Sequence, residues 1–169
     1  MDATLVYPVL TRTQLGARWR ELLGEPGLPQ MFELDQYGEL VQMNPPTTQH
    51  QRIVRGLLTQ IESQLGGEAL PGLGVLTSLG VRIPDVVWQA LWHNQDPTNP
   101  APTLCVEVLS LANTRREIAE KTAAYLEAGA QEVVIVETSG RIRYFGADGE
   151  RAASGLGLAL TLPAGTYPP

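Results

Sequence analysis

Glu107 stands inside an apolar run, Thr103 to Leu111, among Leu104, Cys105, Val106, Val108 and Leu109. A carboxylate there is costly to bury alone: it must meet a cation, accept good hydrogen bonds or take up a proton. Strand alternation puts Cys105 and Leu109 on its face, and neither marks a solvated surface. Asp85 has a similar setting in Ile83-Pro84-Asp85-Val86-Val87, although Pro-Asp is also ordinary at turns and strand starts. Taken with Glu107, it is a candidate for the second of two acidic ligands at the ends of adjacent strands. Two carboxylates converging in a partly dry site repel each other unless a divalent cation joins them, and hard oxygen donors suit Mg2+ or Mn2+.

Lys121 completes the set. Eleven of the 12 basic residues are Arg, so Lys121 is the only lysine. An amine differs from a guanidinium in being a compact point charge whose pKa moves readily. On a surface, Lys121 would make an i,i+4 pair with Glu117, worth about 0.3–0.5 kcal/mol. Directed across the sheet, it could orient or help deprotonate a water, or neutralise charge developing on a phosphate.

The elements that must position these groups follow from periodicity. Thr13 to Leu23 reads as a short helix, and Met31–Leu34 with Leu40–Met43 as a β-hairpin turning at Asp35 to Gly38. A second helix opens at Thr48, with Gln51 in the capping-box position, and carries Ile53, Leu57, Leu58, Ile61 and Leu65 along one face. Gly74–Thr77 and Val81–Trp88 read as strands, and His93 to Pro102 as a polar loop of the kind that often overlies a site. Thr103–Leu111 is a central strand. Thr114 with Glu117 opens a helix that Gly129 ends, and Val133–Val136 is a second buried strand. Strand, helix and strand within about 35 residues form a βαβ crossover, so the two strands should be parallel. Arg141–Phe145 follows, and Gly155 to Pro169 is expected to add an edge strand. The fold class is α/β: a mixed β-sheet flanked by helices, with an N-terminal helix and β-hairpin.

Composition narrows the function. At 169 residues with 43% hydrophobic and 18% charged residues, and no internal linker, the chain is expected to be a single domain over 1–169. One cysteine excludes an internal disulfide and a Cys-based zinc cage. No apolar run reaches the roughly 18 residues of a membrane span, and Met1 to Leu10 lacks the basic and apolar blocks of a secretory signal, so a cytoplasmic location is expected. The net charge of −6 argues against coating nucleic acid by bulk electrostatics while leaving room for a local phosphate cleft. Zinc spacing, Walker loops, dinucleotide fingerprints and nucleophile elbows are all missing from the sequence.

Pro84-Asp85, then Glu107-Val108-Leu109-Ser110, then Lys121 with Tyr125 and Gly129 together resemble the Uma-two family of restriction-endonuclease-like proteins, within the PD-(D/E)XK nuclease superfamily. Phe32-Glu33-Leu34, Gly38-Glu39-Leu40-Val41, Met43-x-Pro45 and His50 at a helix start are similar to that family's front half. The resemblance spans Met31 to Phe145. It implies a restriction-endonuclease-like core over residues 31–146 and a metal-dependent endonuclease that hydrolyses phosphodiester bonds, with DNA as the substrate. It further implies Asp85, Glu107 and the Val108 carbonyl as metal ligands for Mg2+ or Mn2+, and Lys121 as the catalytic amine. The sequence departs from the superfamily at Leu109, where the lysine two residues after the glutamate is expected, and at Glu137, where the family usually has an aspartate.

His50 falls in the first turn of its helix and is a further catalytic candidate, with a helix-terminal hydrogen-bonding role as its ordinary alternative. Glu39 reads as a hairpin residue. Arg115 and Arg116, or Arg52 and Arg55, could contact phosphate, or could pair on the surface with Glu120 and Glu62. Cleavage of both strands of a duplex calls for a homodimer. The acidic balance and the displaced lysine also admit a catalytically inactive nuclease-fold protein that binds nucleic acid or a protein partner. A structural dimerisation domain would use an apolar patch around Val81–Val87, Trp88 and Trp92.

Overall fold

The computed structural model describes residues 6–166. In chain order its elements are α1 (Arg12–Leu23), β1 (Phe32–Leu34), β2 (Leu40–Gln42), α2 (Thr48–Leu65), β3 (Glu68–Pro71), β4 (Val75–Thr77), β5 (Gly80–Arg82), β6 (Val86–Gln89), β7 (Leu104–Val108), α3 (Arg115–Glu127), β8 (Glu132–Val136), β9 (Ile142–Gly146) and β10 (Gly149–Arg151). The first five residues of the opening segment and the last three of the Pro-rich tail lie outside the described residues.

Helix starts follow side-chain chemistry. Thr11 and Thr114 each form a reciprocated capping box, with Gln14 and Glu117. The cap of α2 is Thr47, whose hydroxyl accepts from the His50 N–H at 3.1 Å. The pattern Thr48-x-x-Gln51 points one residue too far, because the extended backbone a cap needs belongs to Thr47 and Thr48 is already helical.

The strands form two sheets, a small one in the order β2-β1-β5-β4 and a larger one in the order β10-β9-β8-β7-β6-β3. In the larger sheet β7 and β8 run parallel, as the βαβ crossover requires, and the remaining neighbours are antiparallel. The run Val81–Trp88, which reads as one strand, is divided. Its first part pairs in the small sheet and its second in the large one, with Ile83-Pro84-Asp85 as the crossing. Pro84 has no N–H to give to a ladder, so the strand breaks there and leaves Asp85 between the sheets. The strand β3 gave no alternating signal: it is short, ends in a proline and buries only Ala69 fully.

Alternation sorts the larger sheet into two faces. Val86, Trp88, Leu104, Val106, Val108, Val134 and Val136 pack with Ile53, Val54, Leu57 and Ile61 of α2. Val87, Cys105, Val133 and Ile135 pack with Tyr125 and Ala128 beneath α3. The small sheet has its own core, with Leu15, Trp19 and Leu22 of α1 against Phe32, Leu34, Leu76 and Val81.

Two peripheral expectations change. The tail adds no edge strand among the described residues. It is held by two glutamines one turn apart on α2: Gln64 exchanges paired hydrogen bonds with the Ala159 backbone at 2.9 and 2.8 Å, and Gln60 does the same with Thr161 at 2.8 Å each. That arrangement seats Leu158 and Leu160 on the α2 face. The His93–Pro102 loop is tied to the small sheet, where Thr98 hydrogen-bonds to Gly74 and Leu76 alongside β4. The Trp88 region is not an open apolar patch either, since Val81, Val86 and Val87 are fully buried and both indoles donate to backbone carbonyls, Trp88 to Gly66 and Trp92 to Glu68. Among the described residues no helix is long and apolar enough to cross a membrane.

Candidate active site

The strand that sends Leu104, Val106 and Val108 toward α2 must send Glu107 toward α3. There Tyr125 Oη donates to Glu107 Oε1 at 2.7 Å, and Lys121 Nζ lies 3.5 Å from the same oxygen. Lys121 and Tyr125 are four residues apart, so one face of α3 presents both. Glu117 is not the partner of Lys121. Its carboxylate accepts from the Thr114 N–H at 2.9 Å in the capping box.

Glu107 is 9% exposed, and burial pushes its carboxyl up to about 7. Lys121 pulls the other way, while the charges of Asp85 and Glu33 add to the rise. Both recorded contacts fall on Oε1; among the described residues no donor reaches Oε2. Burial lowers the Lys121 ammonium, but Glu107 and Glu33 outweigh it and the net shift is upward. Lys121 is therefore a held cation. Cys105, on the same face of β7, is fully buried, and burial raises its thiol well out of the reactive range.

Asp85, at the crossing between the sheets, accepts the Val108 N–H on Oδ2 at 2.7 Å. This contact ties it to the residue after Glu107. Its Oδ1 lies 3.1 Å from His50 Nε2, which the first turn of α2 brings over the sheet, while His50 Nδ1 lies 3.3 Å from Gln51 Oε1. The hydrogen bond to Asp85 raises the His50 pKa above 6.5, against the effect of burial. Protonated His50 thus stabilises the fold below pH 6.5, and that contribution disappears as pH rises through its folded-state value. His50 is expected to titrate above 6.5, and Asp85→Asn to lower it. Ring-proton NMR of His50 and His93 checks this, and no change in His50 on Asp85→Asn would mean the pair does not exist in solution.

Asp85, Glu107, Val108, Lys121 and His50 are thus gathered at one end of β7. Sequence reasoning missed Glu33. It sits on β1, only 5% exposed, and accepts from the Ile83 N–H at 2.9 Å, from Lys121 Nζ at 3.1 Å and from Arg82 Nη1 at 3.1 Å. Burial alone would raise its carboxyl, but Lys121, the Ile83 amide and Arg82 together lower it. The available signal was Phe32-Glu33-Leu34, a carboxylate between apolar residues as at Glu107.

The remaining candidates stay apart. Glu39 is exposed in the hairpin, and Arg52, Arg55, Arg115 and Arg116 are exposed. Arg116 makes a surface pair with Glu120 at 2.8 Å, whereas Glu62 accepts the Ala69 N–H. Glu137 pairs with Arg143 at 3.2 Å. A cavity of about 810 Å³ on another flank of α3, lined by Leu109, Ile118, Leu126, Phe145 and Arg141, includes none of the five gathered residues.

Among the described residues no group of three or more His, Cys, Asp or Glu side chains is disposed as a ready metal cage. Glu107 Oε2, which no donor reaches among the described residues, is nevertheless a hard oxygen of the type that Mg2+ or Mn2+ takes. Such ions are held by one or two carboxylates and keep several waters.

The chain is an α/β protein with a mixed sheet flanked by helices and a buried carboxylate on a central strand. It superposes on the solved structure of a "putative nuclease belonging to DUF820" from Anabaena variabilis with a TM-score of 0.61 and 17% identity, covering 76% of this chain and 78% of that one. Residues 20–153 match the Uma2 family, described as "Putative restriction endonuclease", and the chain belongs to that family. No curated protein matches it.

Proposed function

We propose that the protein is a divalent-metal-dependent endonuclease that hydrolyses phosphodiester bonds, with DNA as its substrate. The observation that carries this reading is the position of the solitary lysine: from a separate helix, Lys121 Nζ reaches within 3.5 Å of the buried Glu107. That is the charge arrangement which the missing lysine at Leu109 would otherwise have to supply.

In this reading Asp85, Glu107 and the Val108 carbonyl would hold Mg2+ or Mn2+, which would supply polarisation of the scissile phosphate and a lowered pKa for an attacking water. Lys121, kept charged by two carboxylates, stabilises negative charge growing on the phosphoryl oxygens and does not take a proton from water. Tyr125 fixes the Glu107 carboxylate through Oε1 and leaves Oε2 available. His50 orients Asp85, and Asp85 in turn locks the backbone at Val108. Cutting both strands of a duplex would use a homodimer.

The test is a plasmid-nicking assay with Mg2+ or Mn2+, alongside calorimetric titration of Mn2+. Wild type is expected to nick and to bind the ion, and Asp85→Asn to lose both. Ion binding without nicking by wild type would favour a nuclease-fold protein that binds without turnover. Nicking left intact by Asp85→Asn would point to a contaminant.

A further inference from the structure

We propose that Glu33 is a positioning residue for phosphodiester cleavage, delivered by the small sheet to hold the Lys121 amine beside Glu107. The proposal rests on the nuclease reading above and extends it to a residue outside the metal-binding acids.

The small sheet is built to bring Glu33 there. Alternation along β1 turns Phe32 and Leu34 into the α1 core and Glu33 to the opposite side. The pairing of Leu34 with Val81 sets β1 beside β5, and this approach needs a glycine at position 80. A Cβ there would lie 2.0 Å from the Leu34 carbonyl oxygen, and the φ of +111° disfavours any other residue. The same register places Arg82 and the Ile83 amide against the Glu33 carboxylate.

The donors already on both oxygens of Glu33 define its role. A carboxylate offers about four acceptor positions. Glu33 already receives a backbone N–H and an ammonium on Oε1 and a guanidinium on Oε2. It is therefore a poor metal ligand, unlike Glu107, whose recorded contacts leave Oε2 open. A lysine side chain on a helix surface samples many rotamers, and a fixed partner removes that freedom before substrate arrives. Of its two carboxylates, Lys121 lies closer to Glu33, at 3.1 Å against 3.5 Å for Glu107. Glu33 thus keeps the amine in place while Glu107 serves as a ligand.

Two measurements test this. The first is a double-mutant cycle in the nicking assay. Glu33→Gln is expected to lower kcat about tenfold to hundredfold with KM within about twofold, because a displaced catalytic group costs turnover rather than binding. In a Lys121→Ala background Glu33→Gln should cost nothing more. An equal loss in both backgrounds, or a rise in KM with kcat intact, would overturn the proposal. The second needs no catalysis. Because Lys121 is the only lysine, isotope-labelled lysine gives one side-chain Cε–Nζ signal to follow. Glu33→Gln should shift that signal and broaden its rotamer distribution; an unchanged signal would refute the positioning role even if wild type nicks DNA. If wild type does not nick, the nuclease reading fails and the lysine signal still decides whether Glu33 holds the amine. Glu33→Asp, which keeps the negative charge for Arg82 but shortens its reach, is measured in parallel in case the amide variant does not fold. It should give a smaller change of the same sign in both measurements.

Discussion

Glu107→Gln is expected to remove metal-dependent nicking, by a factor of about a thousand or more, and at the same time to make the protein more stable. The two effects share one cause. Burial and the nearby charges of Asp85 and Glu33 hold the Glu107 carboxyl at about 7, against 4.5 for the free group. Below pH 4.5 the group is neutral in both folded and unfolded chains and contributes nothing. Between 4.5 and about 7 the unfolded chain releases its proton while the folded protein keeps it, so wild-type stability falls as pH rises. Above that window the full cost is present, on the order of 3 kcal/mol. A glutamine of the same shape still accepts from Tyr125 and carries no charge to desolvate. At pH 8, Tm should rise by roughly 5–10 °C on the usual scale for a chain of this length. The gain should vanish near pH 4.5. Calorimetric melts of both proteins at pH 4.5, 6 and 8 read this directly. A variant less stable than wild type at pH 8 would show that Glu107 is held ionised without strain, and so is not waiting for a cation. An acid kept at a net cost to the fold is what a functional carboxylate requires.

Much of this site was legible because burying a carboxylate is expensive enough to leave a mark. Glu107 among apolar neighbours, and one lysine in a chain that otherwise uses arginine, each break a pattern that stability alone would keep. The crossover from β7 through α3 to β8 was equally legible, since strand and helix periods change sharply at Asn113 and Gly129. Glu33 escaped because its three-residue strand is too short for a period, and its significance depends on Lys121, 88 residues away. The division of Val81–Trp88 between two sheets escaped for a related reason. Both halves are apolar and β-branched, so only Pro84 hinted that the chain changes partners there, and proline also occurs at ordinary strand starts. The glutamine pairs that hold the tail resemble no secondary structure, so the loose alternation within Gly155 to Pro169 reads as an edge strand from sequence.

Lys121→Met should be the most destabilising single change at the site, and pH should set its size. Removing one partner of a buried charge cluster leaves the rest uncompensated, at a cost of about 3–5 kcal/mol. Glu33 keeps Arg82 and the Ile83 amide, so most of the loss falls on Glu107, which has only the Tyr125 hydroxyl left. Without the ammonium that pulls it down, the Glu107 carboxyl rises further. The variant can therefore recover by taking up a proton. Its deficit should be small near pH 5.5 and grow as pH rises past about 7, where wild-type Glu107 has ionised and the variant's has not. In wild type the Glu33 carboxyl lies below its ordinary value and its contribution is lost only as pH falls through that lowered value; without Lys121, the foremost group lowering it, Glu33 also moves up, held down by the Ile83 amide and Arg82. Urea denaturation at pH 5.5 and 8 measures the difference, and a deficit independent of pH would mean that Glu107 is not the group left exposed. Lys121→Arg separates charge from geometry. A guanidinium restores the positive charge between Glu33 and Glu107, and with it most of the stability, but it is planar and cannot place a compact ammonium beside a phosphoryl oxygen. Stability recovered without nicking would assign the amine to the reaction, whereas recovery of both would reduce Lys121 to a counter-ion.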